Sequence, residues 1–200
     1  MPAKTVSSMP IVTERKLELE FPSDWEVIQY DRQGNSKTGE PASFYRRIIE
    51  RGGVQQVRGM DIVCRLPDVP AKLQFIEVKD DRKRTIGTGD RHAELFISVL
   101  QKTVGTLAGL VLAERLGEAS LLPQACLSKS PPIEVVLFLV EPAPLPVATT
   151  ENGLSRLVKK ERVAALDQRL TAKLDEWGIL FALYNLSNRP PRNWQVRDLV

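Results

Sequence analysis

Asp61, Glu77 and Lys79 are the residues of this 200-residue chain whose types and spacing could do chemistry together. They stand in "GMDIV" and "FIEVKD", inside two runs rich in β-branched and aromatic residues. "PDVPA" between the runs reads as a turn, so residues 60–79 predict an antiparallel hairpin. A turn centred on Val69 sets Asp61 opposite Glu77, Val63 opposite Phe75 and Arg65 opposite Leu73, with Lys79 diagonal to Asp61. The other face carries Ile62, Cys64, Leu66, Ile76 and Val78 and is almost wholly apolar. Both faces therefore read as covered, yet one end of one face holds two carboxylates and an ammonium. Cross-strand Cβ atoms lie ~5 Å apart, and like charges there repel. A divalent cation between Asp61 and Glu77 would remove the conflict; Lys79 alone would remove part of it. A frayed strand end with solvated charges is the plain structural alternative.

Composition narrows the chemistry. His92 is the single histidine and the cysteines are two, Cys64 and Cys126, with no CxxC spacing. Zinc sites built on His or Cys and disulfide frameworks are thereby excluded, and a metal would take oxygen ligands: magnesium, manganese or calcium. The apolar fraction of 42% and charged fraction of 26% are those of a globular chain. A net charge of +3 is compatible with nucleic acid but does not select it. "MPAKTVSSMP" has no apolar h-region, and "TVGTLAGLVLA" and "VVLFLV" fall short of the ~18 residues of a bilayer span. A soluble cytoplasmic protein without membrane contact is the expectation.

The elements that must position the three residues can be read in order. Residues 1–14 read as a flexible leader and 188–200 as a tail, around a single domain. "KLELEF" alternates as a half-exposed strand, and "DWEVIQYD" is a second extended piece. "SFYRRIIERGG" predicts a short helix capped by Ser43, with Phe44, Ile48 and Ile49 on one face. After the hairpin, residues 92–117 predict the longest helix, with Leu95, Val99, Val104, Leu107, Leu110, Val111 and Leu116 as its apolar face. "PIEVVLFLVEP" is near-continuously apolar, as strands covered on both faces are. A second helix over 154–177 carries Val163, Leu166, Leu170, Leu174 and Trp177 on one stripe, which also suits a homodimer contact. "GILFALYNLS" is the last strand. The order predicts an α/β fold, a mixed sheet with helices against its faces.

Asp61 followed by the Glu77-Val78-Lys79 triplet, on a hairpin after one helix and before another helix and strand, resembles the PD-(D/E)XK nuclease superfamily. The likeness covers residues 43–141 and implies a restriction-endonuclease-like fold: an α-β-β-α-β core with an added N-terminal strand and a C-terminal helix-strand. Met60 stands where the namesake proline would be. The resemblance implies a nuclease, a magnesium- or manganese-dependent hydrolase of phosphodiester bonds, with DNA ahead of RNA as the partner. Asp61 and Glu77 would bind the metal, and Lys79 would orient or deprotonate the attacking water. An acid from the first helix would join them, with Glu50 the candidate and Asp31 behind it. From the second helix Gln101 would enter the catalytic set, and Lys102 would contact nucleic acid. A catalytically silent module of the same fold, binding nucleic acid or serving assembly, is the alternative.

The loop "DDRKRTIGTGDRH" places Arg82, Lys83 and Arg84, with Arg91 beyond them, where they could meet phosphates. Asp80, Asp81 and Asp90 interrupt it, which equally suits a solvated loop. Arg46, Arg47 and Arg51 face the same choice. His92 reads as a helix start, Cys64 as core, and Trp25 and Trp177 as packing.

Overall fold

The computed structural model describes residues 8–50, 57–82, 91–121, 123–141, 151–188 and 194–199, with backbone alone over 151–160. Strands β1 (Ile11–Glu14), β2 (Leu17–Glu20) and β8 (Gln195–Asp198) make a small antiparallel sheet in the order β1-β2-β8. A five-stranded sheet contains β3 (Glu26–Gln29), β4 (Ile62–Leu66), β5 (Lys72–Asp80), β6 (Ile133–Val140) and β7 (Ile179–Tyr184), in chain order. Its first half is antiparallel and its second half, from β5 to β7, is parallel. Helix α1 (Arg91–Leu116) links β5 to β6, and α2 (Glu151–Asp175) links β6 to β7.

Handedness explains the layering. Crossovers between parallel neighbours are right-handed, so two successive steps in one direction put both helices on the same face. Leu95, Val99 and Leu110 of α1 and Leu166, Leu170 and Leu174 of α2 accordingly share one core with Val63, Leu73, Phe75, Val135 and Leu137. The opposite face is covered by the small sheet. Leu17, Leu19, Phe21, Trp25, Trp194 and Val196 pack there on Ile62, Cys64, Ile76, Val78 and Phe138. The fold is thus an α/β layer arrangement with helices on one face, and the expectation of helices on both is corrected.

The hairpin register is the predicted one: Ile62 pairs with Ile76, Val63 with Phe75 and Arg65 with Leu73. Other expectations change. Residues 11–14, read as leader, form β1, and residues 195–198, read as tail, form β8 beside β2. Neither strand is legible alone, because a four-residue strand takes its partner from elsewhere in the chain. The first helix is a π-helical segment over Tyr45–Glu50, with the Arg46 N–H 3.4 Å from Ser43 Oγ. The wider π turn brings residues five apart together, so Phe44 and Ile49 are buried while Ile48 is exposed. Trp177 lies past the end of α2 and is exposed, with the Lys173 ammonium over its ring.

Helix α1 is the largest departure. By length and composition it could cross a membrane, which the short apolar runs did not suggest. Its buried face is Leu95, Val99, Lys102, Thr103, Thr106, Gly109, Leu110 and Ala113, whereas Val104, Val111 and Leu116 are exposed. Two glycines let α1 approach closely. A Cβ on Gly105 would stand 2.1 Å from the Arg58 carbonyl oxygen, and one on Gly109 2.0 Å from the Tyr30 hydroxyl. Between them Thr106 Oγ1 accepts the Met60 N–H at 2.9 Å, in the buried interior. Gly105→Ala gains ~1 kcal/mol of helix propensity. It must nonetheless push α1 off a backbone atom, an overpacking cost of about 1–3 kcal/mol or more. Urea unfolding should show a net loss of stability and a lower midpoint.

Candidate functional site

Asp61 is held at three points just ahead of β4. Thr106 fixes the preceding amide, the Tyr30 N–H donates to the Asp61 carbonyl at 2.8 Å, and the Val78 N–H donates to Asp61 Oδ2 at 2.7 Å. Val78 lies two residues past Ile76, the last β5 residue paired with β4. Its amide therefore meets no strand partner on that side, and the Asp61 carboxylate supplies the acceptor. Glu77 stands beside it on the helix-covered face, in the middle of the β5–β6 ladder and paired with Leu137. It is wholly buried.

The cation between these carboxylates comes from α1. Lys102 Nζ donates to Asp61 Oδ1 at 2.9 Å and to Glu77 Oε2 at 2.6 Å, and its side chain is buried. Lys79 makes a close ion pair with the other oxygen, Glu77 Oε1. With all four ionised, two carboxylates meet two ammonium groups and the cluster is neutral. The predicted cross-strand repulsion is thus answered within the chain.

Burial, and then the charge of Asp61, raise the Glu77 pKa above the ordinary carboxylate range, with Lys102 and Lys79 opposing the rise. Burial alone would depress Lys102; the attraction of Glu77 and Asp61 outweighs it and pushes the ammonium up. Two further acids feel the cluster. Glu14 on β1 is raised by burial, although Gln29 Nε2 donates to it at 2.6 Å. Asp31 is raised to about 6, chiefly by burial and then by Asp61, and lies 3.5 Å from the Arg46 guanidinium.

The other candidates divide clearly. Gln101 is exposed, a hundred degrees around the helix from Lys102, and does not reach the carboxylates. Lys102, expected at a nucleic-acid backbone, is instead buried in the cluster. Glu50 pairs with Arg46 at 2.5 Å and is exposed, while Asp31 behind it is the acid closer in electrostatic terms to Asp61. Arg82 is bound by Asp80 and Asp198, and Arg91 by Asp81. Arg47 lies 3.3 Å from Glu118. Lys83, Arg84 and Arg51 lie outside the described residues. His92 Nε2 is 3.7 Å from the Glu141 carboxylate. Among the described residues no group of three or more His, Cys, Asp or Glu side chains is arranged to hold a metal ion.

Sequence reasoning put Gln101 in the catalytic set and Lys102 on nucleic acid, whereas Lys102 is the residue of the two that reaches the carboxylates. Spacing alone did not separate them, since the apolar pattern runs on through Val104, Val111 and Leu116, which lie outside the buried stripe of Val99, Lys102, Thr106, Leu110 and Ala113. Glu14 left no signal, because it was read as leader. Comparison with protein-family models, curated proteins and solved structures finds no match for this chain.

Asp31 yields a pH prediction. Its pKa rises from 3.8 to about 6 on folding, so the unfolded chain ionises first as pH climbs. Stability should fall between those values and level off above. Asp31→Asn removes the penalty, and its denaturant midpoint should exceed wild type above pH 6 but not near pH 4. A variant midpoint that falls below wild type above pH 6 would show that the Arg46 contact, and not burial of the charge, dominates.

Proposed function

We propose that the protein is a metal-dependent phosphodiesterase acting on nucleic acid, DNA ahead of RNA, within a restriction-endonuclease-like fold. The observation that supports this reading is the meeting of Asp61, Glu77 and Lys79 at one end of β4 and β5, on the helix-covered face. Two carboxylates suit magnesium or manganese, which take few protein oxygens and leave the remaining positions to water and phosphate. Asp61 and Glu77 would hold the ion, which when bound supplies Lewis acidity toward a phosphoryl oxygen and a more acidic water. Lys79 lies at the partly open end of the cluster, where its ammonium can orient a water and stabilise charge on the phosphate. The pinned Asp61 backbone keeps the carboxylate orientation fixed while Lys79 remains adjustable.

A second reading is the catalytically silent module. It is favoured by Lys102 and Lys79, which together already balance the charge of both carboxylates. The test is cleavage of plasmid, single-stranded, branched and flapped DNA, and of RNA, with magnesium or manganese. Asp61→Asn and Glu77→Gln should each abolish cleavage, and Lys79→Ala should slow it by about a hundredfold or more while sparing manganese binding. Activity unchanged in Glu77→Gln would rule out the site. A wild type that cuts none of these substrates and binds no manganese would favour the silent module.

A further inference from the structure

The four carboxylate oxygens of the cluster are held unequally, and the inequality singles out Lys102. Asp61 Oδ2 is tied to the Val78 N–H inside the sheet end, which leaves Oδ1 as the oxygen available for sharing. Lys102 Nζ holds that atom at 2.9 Å while it holds Glu77 Oε2 at 2.6 Å. A cation bridging Asp61 Oδ1 and Glu77 Oε2 would therefore take the place that Lys102 Nζ holds. We propose that Lys102 is a resident counter-cation, which closes the carboxylate pair in the free protein and which a divalent ion must displace to enter.

The proposal rests on the metal-site reading of Asp61 and Glu77 given above, and deepens it. Two features support exchange over simple addition. Among the described residues no third acid completes a ligand group with the pair, so an incoming ion depends on the two carboxylates that Lys102 bridges. Lys79 keeps its own contact with Glu77, so departure of the Lys102 ammonium does not leave that carboxylate without a cation. The flexible four-carbon stem lets the ammonium leave while the Lys102 backbone stays on α1, clamped by the close contacts of Gly105 and Thr106. Metal affinity in the free protein is then the difference between two cations competing for one pair of oxygens, and a neutral residue at position 102 should raise it.

Titration calorimetry with manganese chloride alone tests this, beside thermal melts with and without manganese. Lys102→Gln and Lys102→Met should bind manganese about tenfold or more tightly than wild type. Both should melt below wild type without the ion, because two buried carboxylates lose a partner, and both should gain more from its addition. Lys102→Arg, which keeps the charge in a more rigid form, should bind manganese no better than wild type. Glu77→Gln should abolish binding in every background. Should Lys102→Met fail to fold without manganese, Lys102→Gln, which retains hydrogen-bond donors, carries the comparison. Equal or weaker binding in both neutral variants, with Glu77 still required, would overturn the exchange and leave the metal site standing. Absence of manganese binding in all of the folded proteins would remove both.

Discussion

Two carboxylates withdrawn from water on neighbouring strands, with a lysine ammonium shared between them, form the interaction on which the rest of the structure depends. Burying an ion costs several kcal/mol, which Coulomb attraction offsets only when the geometry is close and the remaining valences are met. Lys102 meets both conditions, with hydrogen bonds to Asp61 and Glu77. Lys79 balances the remaining charge at the strand end. The cluster therefore demands that α1 cross the sheet at one height and at short range.

That demand is visible in the helix itself. Its buried face is small and polar around the cluster, with Thr103, Gly105 and Thr106 flanking Lys102, and apolar on either side. A larger residue at Gly105 would meet the Arg58 carbonyl and hold the helix away. The Met60 N–H to Thr106 Oγ1 bond then locks the helix to the residue before Asp61. One helix face thus carries the cation, the close approach and the anchor for the carboxylate that the cation serves. The sheet beneath is supported from its other side by β1, β2 and β8, and Phe21 and Trp194, which flank β2 and β8, stack there with ring centroids 5.5 Å apart.

Much of this was legible in the chain. Period-two patterning and the Pro-Asp-Val-Pro turn set the β4–β5 register, because a slip of one residue would turn every apolar side chain to the wrong face. The register in turn sets Asp61 beside Glu77. The helices on either side of β6 were legible by length and apolar spacing. The short strands β1 and β8 were not, since four residues of modest apolarity acquire strand character only through a partner, which for both is β2.

The sequence by itself determined the α/β class, the hairpin, and the convergence of two acids and Lys79, because each follows from local periodicity and the geometry of a turn. Tertiary structure decided which of two adjacent residues on α1 entered the cluster. Gln101 and Lys102 differ by a hundred degrees of helix rotation, and that rotation is set by the glycine and threonine contacts to residues 58 and 60. It also decided that Val104, Val111 and Leu116 face outward and that both helices share one side of the sheet. A helix's apolar pattern defines a stripe, but only packing against a particular sheet says which edge of that stripe is buried.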